Sequence, residues 1–257
     1  MERLLVHPKH EHNFAAQGWN SFEGVVAHFL PQTAGCGKVT VERGSVPTSG
    51  SALDVFFKLY DHGSAAWNFW LRASKARREF DNYETLARLG VPAAEAISCG
   101  EERDGLGRVR RAFIITCAVP AACTLIDFFK ARPPRHERAA VIRELASIVR
   151  RLHAADFYYY DLVWRNILVS RQEDRGPKVF LIDCPRGGFA RFGRARKRLR
   201  DLASLDKCAA QFCSRSERLR FLQWYSGEQK LRGKVNALAR ACLDYRRARW
   251  PGDWRGK

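Results

Sequence analysis

No stretch of this 257-residue chain approaches the roughly 20 consecutive apolar residues that a membrane-spanning helix needs. Met1 to Glu11 contains no apolar core of the kind a signal peptide carries, so the expected location is the cytoplasm. Acid is scarce: 27 Asp and Glu face 45 Lys and Arg, a formal net charge of +18. That excess goes beyond what solubility requires and calls for an anionic partner, whether nucleic acid, an anionic membrane surface or a phosphorylated glycolipid. The eight cysteines, at positions 36, 99, 117, 123, 184, 208, 213 and 242, form no C-x-x-C pair and have no accompanying histidine cluster at zinc spacing. A structural zinc is therefore not expected, and in a cytosolic chain these cysteines read as buried reduced thiols. No internal repeat is present. What the chain does have is 46% hydrophobic content, enough for one large core or two lobes.

Residues 1–118 read as short extended segments around one helix, punctuated at Gly35 to Gly37 and Gly44 to Ser51. Val55 to Tyr60 is an aromatic and β-branched run broken only by Lys58, which predicts a strand. From Ala65 to Leu89 there is no Pro or Gly. Phe69, Ala73, Ala76, Phe80, Tyr83, Leu86 and Ala87 recur there at helical spacing, and Gly90-Val91-Pro92 supplies the stop. Phe113 to Thr116 reads as a strand and Pro120 to Thr124 as a connector between lobes. Leu125 to Phe129 opens a helix, and Arg138 to Ala155 carries one long apolar face. Ile167 to Val169 and Val179 to Ile182 are strand-like, and beyond Asp201 the chain is mainly helical to Arg249. Strands first and helices after predict an α+β protein of two lobes, residues 1–118 and 119–257.

Leu152-His153 closes the long helix, and Tyr159-Tyr160-Asp161 follows, with Asn166 five residues beyond Asp161. Seventeen residues further, the apolar run Val179 to Ile182 ends in Asp183. Upstream, Lys58 lies inside a strand and Glu79 lies on a helix eleven residues before Gly90; Glu79 is a better partner for the lysine than Glu84. This order resembles the protein-kinase-like fold, whose catalytic loop reads H-R-D-L-x-x-x-N and whose lysine strand reads V-A-I-K.

The resemblance implies roles. Asp161 would be the base that accepts the proton of the attacking hydroxyl, and Asn166 and Asp183 would hold Mg2+. Lys58 would neutralise the phosphates of ATP, paired with Glu79. The sequence departs from the protein-kinase pattern in four places: Tyr159-Tyr160 replaces His-Arg, Cys184-Pro185-Arg186-Gly187 follows Asp183 where D-F-G would continue, no Ala-Pro-Glu follows, and no G-x-G-x-x-G precedes Lys58. Gly44 to Gly50 is the candidate substitute for that phosphate-covering loop. Without the peptide-substrate motifs, a small-molecule or glycolipid acceptor is favoured over a protein.

Arg77-Arg78-Glu79-Phe80, Leu89 to Pro92, Ala112 to Thr116, Val149 to Ala155 and Arg200 to Leu205 are similar to the bacterial lipopolysaccharide core kinases, over roughly residues 53 to 225. That likeness implies an ATP-dependent kinase acting on a heptose or Kdo sugar of the inner core. It also implies that Asp201 supports the catalytic loop from below. Arg186, Arg191, Arg194, Arg196, Lys197, Arg198 and Arg200 form a run without an acid, which predicts peripheral contact with a glycolipid or an anionic leaflet at the inner face of the cytoplasmic membrane. Nucleic acid is not the expected partner. Two other readings remain: a small-molecule kinase of the aminoglycoside type, whose cationic substrate would require an acidic cleft, and a non-catalytic basic binding module, against which the retained Lys58, Asp161, Asn166 and Asp183 argue.

Overall fold

The computed structural model describes residues 1–30, 39–48, 50–63, 69–70, 72–172, 176–228, 230 and 233–254. Its contacts divide the chain into two units, Met1–Thr85 with Ala94–Ala118, and Leu86–Ala93 with Val119–Lys257. Cys36 and the Gly35 to Gly37 punctuation lie outside the described residues.

The first unit is built on an antiparallel sheet of β1 (Glu2–Val6), β2 (Val39–Pro47), β3 (Ala52–Asp61), β4 (Ala96–Arg103) and β5 (Val109–Cys117), in the order β1-β4-β5-β3-β2. Side chains alternate across β3. Val55, Phe57 and Leu59 enter a core with Phe14, Trp19, Phe22, Val25, Val26 and Phe29, while Lys58 and Tyr60 occupy the opposite face.

The core residues numbered 14 to 29 lie on or beside two helices that the sequence reading took as extended, α1 (Glu11–Ala16) and α2 (Phe22–Phe29). The single helix expected before residue 118 is thus corrected to three among the described residues. α2 forms because the Ser21 hydroxyl accepts the Gly24 N–H at 3.1 Å, capping the first turn, and because Phe22, Val25, Val26 and Phe29 share one apolar face.

The third helix, α3 (Lys75–Arg88), starts beyond Phe69 and Ala73, the first two residues of the periodic pattern. Ser74 sets that start, its hydroxyl accepting the Arg77 N–H at 3.0 Å; residues 64–68 and 71 lie outside the description. Gly90 adopts the left-handed conformation, φ +64°, that ends the helix.

The loop expected over Gly44 to Gly50 is corrected too. Gly44 to Pro47 belong to β2, which pairs with β3 through Pro47 opposite Ala52. A side chain at Gly44 would lie 2.8 Å from the Phe29 ring, so glycine serves core packing there. Beyond β2, the Thr48 N–H donates to the Ser51 carbonyl at 2.8 Å.

The second unit is mainly helical, with α4 (Leu125–Lys130), α5 (Arg135–Ala154), α6 (Arg194–Phe212), α7 (Arg215–Ser226) and α8 (Lys234–Arg249). Two small antiparallel sheets accompany them. One joins β6 (Ala122–Thr124), β8 (Ile167–Gln172) and β9 (Gly176–Leu181), and the other joins β7 (Phe157–Tyr158) and β10 (Gly188–Phe189). α5 buries Val141, Ile142, Leu145, Ile148, Val149 and Leu152, the face that the sequence pattern predicted. The fold is α+β and protein-kinase-like, strand-rich first and helical after.

Candidate active site

In the first unit Lys58 projects from β3 toward Glu79 on α3, Nζ to Oε2 at 3.5 Å. Glu79 is 2% exposed and accepts from the Tyr60 hydroxyl at 2.9 Å and the Tyr83 hydroxyl at 3.3 Å. A buried carboxylate is tolerated only with such partners. Lys58 Nζ also sits 5.0 Å from the Tyr60 ring centroid, within cation–π range. Glu84, the other acid considered on this helix, is exposed.

In the second unit Asp161 precedes a short 3-10 turn, Trp164–Asn166, whose last residue is Asn166. The Trp164 indole N–H donates to the Leu205 carbonyl of α6 at 3.0 Å, which anchors the turn. Asn166 is buried, and its Nδ2 donates to the Asp161 carbonyl at 3.0 Å. The amide orientation is thereby set, with Oδ1 left as the acceptor. The Ile182 N–H donates to the Asn166 carbonyl at 3.0 Å, which ties the residue before Asp183 to this loop.

Asp201 of α6 is fully buried and accepts two consecutive main-chain N–H groups, from Tyr159 at 2.8 Å and Tyr160 at 2.9 Å. His153 Nε2 lies 3.3 Å from the same carboxylate, and its Nδ1 is 2.8 Å from the Tyr225 hydroxyl. A neutral imidazole with its proton on Nε2 satisfies both contacts. Burial pushes the Tyr225 hydroxyl up to about 12, so it remains a donor at neutral pH.

The residue that sequence reasoning missed is Tyr159. It stands where the kinase pattern has histidine, is fully buried, and its hydroxyl donates to the Ile182 carbonyl at 2.6 Å. Tyr160 and Asp183 both adopt left-handed backbone, φ +63° and +62°. For non-glycine residues that costs on the order of 1 kcal/mol or more each, sustained by the surrounding bonds. Gly187, closing the Cys184 turn, has no room for a side chain: a Cβ would lie 2.4 Å from the Cys184 sulfur and 2.9 Å from the Phe157 ring.

The basic run divides into two kinds of residue. Arg194 pairs with Asp156 at 3.1 Å, Lys197 donates to the Phe192 carbonyl at 2.7 Å, Arg198 donates to the His153 carbonyl at 3.3 Å, and Arg200 lies 5.1 Å from the Tyr160 ring centroid. Arg186, Arg191 and Arg196 are exposed and without ion-pair partners among the described residues. Beside them Phe189 is 63% and Phe192 85% exposed.

The model of the lipopolysaccharide kinase (Kdo/WaaP) family matches residues 62–225. The chain belongs to that family. It is therefore a kinase, and kinase chemistry implies ATP as the phosphoryl donor. Among the solved structures, one described as WaaP in complex with acyl carrier protein aligns with a TM-score of 0.71 at 21% identity, over 98% of this chain and 99% of that one. At that identity the likeness speaks for the fold. Among the curated proteins, none matches the chain by sequence.

Proposed function

We propose that this lipopolysaccharide kinase transfers the γ-phosphoryl group of ATP to a hydroxyl of an inner-core sugar, a heptose or Kdo. Residues 1–118 act as the nucleotide-binding lobe, with Lys58 on the phosphates and Glu79 holding it there. Residues 119–257 act as the catalytic lobe. The Asp161 carboxylate accepts the proton as the acceptor oxygen bonds to phosphorus and the bond to the ADP oxygen breaks. The carrying observation is the anchoring of the Asp161 loop and the Ile182-Asp183 strand end to one frame through Asp201, Tyr159 and Asn166.

The residues present fit a magnesium ion. Asn166 Oδ1 and the Asp183 carboxylate are hard oxygen donors, and the amide is already turned so that its nitrogen is engaged elsewhere. When bound, the ion would neutralise charge on the transferring phosphate.

No helix among the described residues is long and apolar enough to cross a membrane. We place the protein peripherally at the inner face of the cytoplasmic membrane, held by Arg186, Arg191 and Arg196 with Phe189 and Phe192 between them. Cations contribute about 1 kcal/mol each near an anionic leaflet, and a phenylalanine leaving water contributes about 2 kcal/mol.

A cavity in the second unit favours one further partner. Its volume is about 680 Å3, and its lining combines Leu145, Leu205 and Leu222 with charged side chains such as Asp206, Arg218 and Arg246, a size that fits a fatty acyl chain with polar groups beside it. WaaP has been solved with acyl carrier protein. An acylated carrier protein that places its chain in this cavity is the corresponding partner here. Native mass spectrometry of the protein purified from cells tests it: a bound acylated carrier supports the partner, and ligand-free protein with full activity and stability removes it.

The test of the function itself is mass spectrometry of lipopolysaccharide core from cells with and without the protein. Loss of phosphate from an inner-core heptose or Kdo is expected. An unchanged core contradicts the assignment.

A further inference from the structure

Where β1 gives way to α1, Pro8–His10 forms a 3-10 turn that sets His7 and His10 beside Glu95. One ligand atom from each of the three lies within 4.8 Å of the other two. The first unit supplies all three side chains. The His7 N–H donates to the Ile97 carbonyl at 2.8 Å, continuing the β1–β4 ladder, and the Cys117 N–H fixes the Glu95 carbonyl at 2.8 Å. Both sides of the cluster are thus held by main-chain bonds.

His10 is the informative member. It is 7% exposed, yet neither ring nitrogen has a hydrogen-bond partner. Leaving buried polar atoms unsatisfied costs about 1–3 kcal/mol, so such a group requires an explanation. Its Nε2 lies 3.6 Å from Glu95 Oε1, too long for a hydrogen bond. That separation is close to the roughly 3.3 Å between two ligands of a tetrahedral zinc with bonds of about 2.0–2.1 Å.

We infer that His7, His10 and Glu95 form a binding site for a borderline divalent transition-metal ion of the zinc class. Two imidazoles and one carboxylate suit zinc, and magnesium or calcium would seek more oxygen. Lys9 now pairs with Glu95 at 3.0 Å, but its side chain is 68% exposed. An ion pair at the surface contributes about 0–1 kcal/mol, so a bound cation displaces the ammonium into water at little cost. The consequence is a staple between the start of the chain and the lead-in to β4, which stabilises the first unit without entering the phosphoryl-transfer chemistry.

The test is isothermal titration of ZnCl2 into untagged, chelator-treated full-length protein, with thermal melts alongside. The wild type is expected to take one zinc equivalent and to melt higher with zinc, and excess magnesium is expected not to compete. His7→Gln and Glu95→Gln are expected to lose both effects while retaining the zinc-free melting temperature. His12→Gln, at an exposed neighbouring position, is expected to keep both. No zinc uptake by the wild type overturns the site, as does undiminished uptake by His7→Gln and Glu95→Gln. Equal loss in His12→Gln assigns the binding to a nonspecific histidine cluster and overturns it as well.

Discussion

Asp161 and Asp183 differ in what their replacement removes. Asp161→Asn deletes the proposed base and leaves the loop geometry, because the main-chain carbonyl of residue 161 is what holds Asn166. Phosphoryl transfer is expected to fall about 100-fold or more with ATP affinity nearly unchanged. Asp183→Asn takes a charge from the proposed metal site, so transfer and magnesium-dependent ATP binding are expected to fall together. Single-turnover assays with ATP titration separate the two, and wild-type turnover in either variant contradicts the assigned roles. Lys58 and Glu79 act as a unit: the lysine is held by a carboxylate that is itself buried among Tyr60 and Tyr83. The rate losses of Lys58→Ala and Glu79→Gln are therefore expected to be non-additive in a double-mutant cycle, and additive losses would separate the pair.

At the level of elements, α5 and α7 are joined by Arg138, which donates to Glu217 at 2.7 and 2.9 Å, while Glu217 closes a capping box with Ser214. The Arg138 guanidinium is the main cause that holds the Glu217 carboxyl down at about 2. A carboxylate depressed from its ordinary value near 4.3 contributes stability that is fully present above that value and is lost as pH falls toward 2. Glu217→Gln is accordingly expected to melt below wild type at pH 6, with the gap closing between pH 4 and pH 2. A gap independent of pH contradicts the ion pair.

The long face of α5 was legible in the sequence from its 3.6-residue periodicity, and the strand around Lys58 from its run of aromatic and β-branched residues. α1 and α2 were not, because they are short and their apolar residues are mixed with His, Asn and Gly. The pairing of Lys58 with Glu79 and the closeness of Asn166 to Asp161 could be read from residue type and order. The role of Tyr159 could not, since a hydroxyl reaching a carbonyl 23 residues away replaces a ring nitrogen and leaves no motif. Nor could spacing reveal Glu95 beside His10.

For the whole molecule the charge of +18 includes one dense basic run, residues 186–200. Part of the 186–200 run is engaged by Asp156 and by main-chain carbonyls, whereas Arg186, Arg191 and Arg196 are exposed without ion-pair partners among the described residues, beside two exposed phenylalanines. Replacing the three arginines by Gln and Phe189 and Phe192 by Ser is expected to abolish sedimentation with anionic vesicles, with ATP hydrolysis in the absence of acceptor unchanged. Wild-type binding is expected to weaken steeply with salt, as a Debye length of about 8 Å at physiological ionic strength requires. Retention of the variant on vesicles contradicts this surface.

The central claim is the acceptor, and the direct measurement is phosphoryl transfer from labelled ATP by purified protein to dephosphorylated lipopolysaccharide core, in parallel with an aminoglycoside and a peptide. The account predicts label on an inner-core heptose or Kdo hydroxyl, absent with Asp161→Asn. Preferential labelling of the aminoglycoside or the peptide, or equal labelling of the core by Asp161→Asn, would contradict it.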